Sequence, residues 1–369
     1  MVSRTMWVTR PVMMGLVLIS LVSGVLGGLL RAGVPMPAVS QLAWASQASG
    51  LHSALMICGF LGTVIGIERA VALRSPWAFV APVASALGAA CLLQRQYTWG
   101  AYLFELAGAA FVLVNIVIVK RQSAPHTWML LLSALVWLAG NTRFMFMGLG
   151  DGVLAAWFGF LVLTIAAERL EMSRLTRGHR TAQRWLVAVV AVLLAGAWWS
   201  ARDHAVGGVV YGLGLVLLAL WLGLFDIARH TVRTHGLSQY MAVCLLSGYV
   251  WLAVAGVCWA ANAWGGGYRD ASLHALGLGF VISMVMGHAP VILPAVARVK
   301  LYFDRRFYVP LLMLHGSLLW RLVAGHADAD GRAWGSALNA VTLLVFMATV
   351  VSAAASWQRH HPPTRRRPR

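Results

Sequence analysis

Four histidines of this chain lie within or at the edge of long apolar runs: His52 in GLHSALMICGFLG, His274 in HALGLGFVISM, His288 in SMVMGHA and His315 in LLMLHGSLLW. A neutral imidazole offers one N–H donor and one lone pair, so it can bind a metal, carry a proton or tie one helix to another. Glu105 adds an acid a few residues into a further apolar run, a functional hint by default in such a setting. Arg143 in GNTRFMFMG and Arg321 in LLWRL supply guanidinium groups, which pair well with carboxylates near a membrane face and also snorkel from helix ends. The thioethers of FMFMG and SMVMG suit Cu(I), and they equally suit packing. Cys58, Cys91, Cys244 and Cys258 form no Cys-x-x-Cys pair and read as small apolar side chains.

The elements that carry these groups follow from composition. The chain has 369 residues, 60% of them hydrophobic and only 11% charged, which excludes a soluble globular domain for want of a polar shell. Apolar runs of about 18 residues or more read as membrane-spanning helices. Twelve are expected, at 11–30, 49–70, 76–94, 98–119, 127–147, 152–170, 185–200, 206–226, 238–262, 271–297, 307–324 and 334–356. The expected fold class is therefore an all-α polytopic membrane protein, one transmembrane domain over 1–356 surrounded by lipid. A basic Pro- and Arg-rich tail over 357–369 reads as disordered on the inner surface. Its His360 and His361 fit a tail lying near anionic lipid better than a metal site.

The net charge of +18 would point to nucleic acid in a soluble protein, but here its distribution matters more and no nucleic-acid partner is expected. With the N-terminus inside, the inner segments collect 22 Lys and Arg and the outer ones seven. That asymmetry predicts N-in and C-in. The first apolar run follows Arg4 and Arg10 as a signal peptide would. It lacks a clean cleavage site, and removing it would spoil the charge parity, so it is read as a helix.

Self-similarity orders the spans further. Span 2 reads GFLGTVIGIER from Gly59 and span 6 reads GFLVLTIAAER from Gly159, agreeing at six of eleven positions. Span 10 reads GFVISMVMGHA from Gly279, with His288 where the others carry Glu68 and Glu168. Spaced four helices apart, these runs predict three pseudo-repeated four-helix units. His52 precedes its Gly-Phe pair by seven residues and His274 by five, so both open helices of the same direction at nearly one depth. The two-residue offset is about 3 Å along a helix. Two neutral imidazoles at one depth on facing helices are what a six-coordinate heme iron needs.

At these residues the chain resembles the catalytic subunit of the heme-copper oxidases. The twelve helices in three groups of four, HSALMICGF in span 2 and HALGLGFVISM in span 10 carry the resemblance. It implies that His52 and His274 clasp a low-spin heme b, and that Arg321, with Arg143 as a second candidate, holds its propionates. It also implies a multi-pass protein of the bacterial inner membrane, exchanging electrons with a redox protein or a quinol. The departures are informative. Ser272, Phe160, Trp198 and Trp199 stand where that family places its other heme and copper ligands, and His204 falls in the following loop. A copper-containing oxygen-reducing centre is therefore not expected. HSALMICGF is also similar to a run in NnrS proteins, heme and copper membrane proteins linked to nitric oxide stress, although Ala54 replaces their second histidine. This implies sensing or scavenging of a diatomic gas as an alternative to electron transfer.

His288, about 21 Å below His274 along its helix, and His315 at comparable depth are expected to make a structural hydrogen bond, a proton path, or a second heme or metal site. Two readings of other classes remain open at this level. In a transporter or channel the histidines and Glu105 would line a polar path, with Pro290 and Pro294 giving a kink. A non-catalytic assembly factor of a respiratory complex would fit a scaffold without its oxidase centre.

Overall fold

A computed structural model describes residues 5–172, 179–200, 202–296 and 299–360. Among the described residues there is no strand, and twelve helices are long and apolar enough to cross a membrane. They are α1 (Thr5–Arg31), α2 (His52–Leu73), α3 (Pro76–Leu93), α4 (Tyr97–Arg121), α5 (Pro125–Met147) and α6 (Asp151–Met172). The second half comprises α7 (His179–Trp199), α8 (His204–Phe225), α9 (Leu237–Ala263), α10 (Arg269–Pro294), α11 (Arg305–Ala327) and α12 (Ala329–His360). Helices are the natural outcome of such runs, because a helix satisfies its backbone groups internally where no water can.

Two expectations shift at helix ends. The final helix continues to His360, four residues beyond the boundary placed at 356; residues 361–369 of the tail lie outside the described residues. His204, expected in a loop, instead opens α8, where the Asp203 side chain accepts from the Val206 N–H. An Asx cap moves the helix start forward by satisfying one of its free N–H groups.

Sequential helices pack as hairpins, and the closest approaches use small residues. A methyl group added to Gly212 of α8 would lie 2.4 Å from the Gly256 carbonyl of α9, so only glycine permits that contact. Helix α6 is the centre of the bundle: 83% of its apolar stretch is buried, against 22% for α12 and 33% for α1. It touches both α2 and α10, and so brings the two histidine-bearing helices around itself.

Both of those helices are irregular in the same place. Leu55–Gly62 of α2 and Ala275–Ile282 of α10 are π-helical, the former starting three residues after His52 and the latter immediately after His274. The matching stretch of α6, 155–162, is ordinary α-helix. A π segment widens the turn, shifts the hydrogen bonds to i→i+5 and commonly marks a functional site. In α2 it is supported from α3, where the Ser85 hydroxyl donates to the Cys58 carbonyl at 2.7 Å.

Candidate functional site

The starts of α2 and α10 bring His52 and His274 together. Their ring centroids are 6.3 Å apart and their planes differ by 18°. The His52 Nδ1 lies 2.7 Å from the Gly24 carbonyl of α1. The His274 Nδ1 lies 2.9 Å from the Asp270 carbonyl, one turn earlier in α10, and 3.2 Å from the Asp270 carboxylate. A carbonyl can only accept, so Nδ1 carries the proton in both rings and Nε2 keeps its lone pair. Neither Nε2 has a protein partner among the described residues.

Both rings line one cavity of about 830 Å³. That volume is in the range of cofactor sites, about 300–1,000 Å³. Its walls come from α1, α2, α6, α10, α11 and α12, with Leu61, Leu154, Phe158 and Leu278 as apolar surface. At the end of the bundle where α2 and α10 begin, Arg31, Arg269, Arg321 and Arg332 line it as well. Gly28 of α1 is the floor against which His52 rests. A methyl group there would lie 2.7 Å from the imidazole Cε1.

The arginines are not alike. Arg321 of α11 makes a two-pronged bond to Asp270, Nε to Oδ2 at 2.9 Å and Nη2 to Oδ1 at 2.8 Å, with its side chain 8% exposed. Arg269 is held by Asp151 at 2.8 Å. The guanidinium groups of Arg31 and Arg332 have no partner among the described residues, and so are the ones open to an anion. The spacing of residues did not single them out; their signal is position, at the last turn of α1 and the first turn of α12, two helices that touch.

Other predicted residues fall elsewhere. Arg143 is not on the cavity wall and packs beside Gly152. Glu105 accepts a hydrogen bond from the Thr142 hydroxyl at 3.0 Å, also outside the cavity. Met284 and Met286 are buried in the apolar core, while Met56 lines the cavity.

His288 and His315 are not joined to one another by any hydrogen bond or ring contact among the described residues. His288 donates from Nδ1 to the Met284 carbonyl at 2.7 Å, and its Nε2 accepts from Arg169 at 3.3 Å. His315 accepts from the Trp251 indole at 2.9 Å through Nδ1, which leaves the proton on Nε2. Each neutral ring has thus committed its lone pair to a structural hydrogen bond, one of the roles weighed for the pair. Among the described residues no group of three or more His, Cys, Asp or Glu is placed to hold a metal ion.

His288 belongs instead to a polar cluster at the opposite ends of these helices. Arg69 bonds Glu168 at 2.6 Å, Arg169 reaches both His288 and, at 3.8 Å, Asp226, and the Tyr249 hydroxyl donates to Asp226 at 3.0 Å. Asp226 is 1% exposed, so these charges hold the helix ends together by mutual compensation.

The chain belongs to a protein family described as a domain of unknown function, DUF8744, which it matches over residues 10–355. No curated protein and no solved structure matches it.

Proposed function

We propose that this member of the family is a b-type heme protein of the membrane, in which His52 and His274 would hold the heme iron and whose role is electron transfer. The observation that carries the reading is the imidazole pair. A metal–imidazole bond is about 2.0–2.1 Å, and the ring centroid sits roughly 1.1 Å beyond the nitrogen. The 6.3 Å between the His52 and His274 ring centroids is short enough for the two rings to share one metal ion. Both rings also present the correct lone pair, each fixed by an Nδ1 hydrogen bond of the kind that orients metal-bound histidines. The donor set and the cavity fit a heme.

A bound heme would supply reversible one-electron chemistry at iron. The chain's part is to hold both imidazoles, to exclude water with the apolar walls, and to offer the free Arg31 and Arg332 guanidiniums to the propionates. Arg321 is already engaged by Asp270, so its contribution is to the setting of His274 rather than to an anion. Were both imidazoles to hold the iron, electron transfer would be favoured over gas binding. Electrons would pass to or from a redox protein or a quinol.

The three-unit repeat and the orientation belong to the same reading. The two π segments are 220 residues apart, the same offset as the Gly-Phe pairs at Gly59 and Gly279. Arg69 of the first copy bonds Glu168 of the second, and Arg169 of the second bonds His288 of the third, as repeats around a central axis would. The excess of Lys and Arg in one set of loops supports N-in and C-in in a bacterial inner membrane, with the heme cavity near the outer face.

The test is a heme count on protein purified from a heme-replete host. One heme per chain is expected, with loss in both His52→Ala and His274→Ala. A folded wild-type chain that carries no heme would contradict the proposal.

A further inference from the structure

We infer that Asp270 and Arg321 are positioning residues for His274, and that they would make His52 and His274 chemically unequal as iron ligands; the inference rests on the heme reading above. The asymmetry is visible in what each Nδ1 meets. His52 faces a neutral backbone carbonyl at Gly24, 2.7 Å away. His274 faces the Asp270 carbonyl at 2.9 Å and also the Asp270 carboxylate at 3.2 Å. A negative charge beside an imidazole N–H makes the ring a stronger donor through its other nitrogen. His274 would therefore be the stronger ligand of the two, and the carboxylate would favour oxidised iron.

Arg321 determines where that carboxylate sits. Its Nε and Nη2 bind the two Asp270 oxygens at 2.9 and 2.8 Å, a planar fork that fixes the orientation of the carboxylate as well as its distance. The pair also spans two helices, since Arg321 is on α11 while Asp270 and His274 share α10. With its side chain only 8% exposed, the guanidinium depends on Asp270 for compensation. Arg321 would thus act through Asp270 and His274, moderating the charge that His274 receives.

The experiment is a potentiometric titration of the heme in the full-length protein, with low-temperature EPR of the oxidised form, for wild type, Asp270→Asn, Arg321→Gln and the double variant. Asp270→Asn is expected to keep a low-spin signal and to shift the equilibrium at least tenfold towards reduced heme, about 59 mV for a one-electron couple. Arg321→Gln is expected to shift it the other way. Because Arg321 works through Asp270, the double variant is expected to match Asp270→Asn, with the same EPR g-values. Independent charges would add, returning the double variant close to wild type, and that result would overturn the inference. An unchanged midpoint in Asp270→Asn would overturn it too, while leaving the heme reading intact. Should Asp270→Asn fail to fold, an unchanged midpoint in Arg321→Gln would be enough to overturn it. A wild-type protein without heme would remove both readings together.

Discussion

His52 and His274 differ from His288 and His315 in what their ring nitrogens already do. The first two spend only Nδ1–H, on carbonyl groups, and keep a lone pair towards a cavity. The other two have their lone pairs taken, by Arg169 and by Trp251. The contrast comes from neighbours rather than from the histidines themselves, and it predicts opposite outcomes for substitution. Gly28→Ala places a methyl group 2.7 Å from the His52 ring, which must move off its Gly24 bond. Heme affinity is expected to fall by about tenfold or more, and heme content with it, as when a supporting contact of a metal ligand is lost. His288→Ala leaves Arg169 short of a partner and is expected to cost about 1–3 kcal/mol of stability with heme content unchanged. Heme absorbance and thermal unfolding, measured on the same samples, check both.

At the scale of the helix, the π segments are the feature that sets α2 and α10 apart from α6. Each adds backbone length within an apolar run and changes the angular relation between the histidine and the rest of its helix. Deleting one residue from Leu55–Gly62 is expected to restore ordinary α-helix there and to move His52 off the direction it now takes relative to the lower half. Helical circular dichroism should be retained while heme is lost; retention of both would show that the π segment does not set the ligand. The segments were not legible in the sequence, because LMICGFLG and ALGLGFVI are continuous apolar runs in which an extra residue breaks no pattern. The existence of twelve spans was legible, since apolar length alone announces it, and so was the common depth of His52 and His274, while their approach to 6.3 Å came from the packing of α2 and α10. Arg143 shows the limit of that reasoning. Depth says nothing of the direction around a helix, and Arg143 lies off the cavity wall. The part played by Asp270 was hidden for a related reason, as it depends on Arg321, 51 positions later and on another helix.

For the whole molecule, the architecture is a bundle organised around α6, with a cavity towards one end and a charge cluster towards the other. The two are linked by α2 and α10, which start at the imidazoles and run down to Arg69 and His288. The charge cluster anchors these helices below, so that the imidazoles above are held by rigid elements rather than by loops. Such a scaffold suits a cofactor whose ligands must not move between oxidation states. The most direct test is a reduced-minus-oxidised visible spectrum of the purified full-length protein, repeated after carbon monoxide is added. A sharp low-spin b-type band that carbon monoxide does not alter is the predicted result. A high-spin spectrum that shifts with carbon monoxide, or no heme band at all, would contradict the assignment of His52 and His274 as a closed pair of iron ligands.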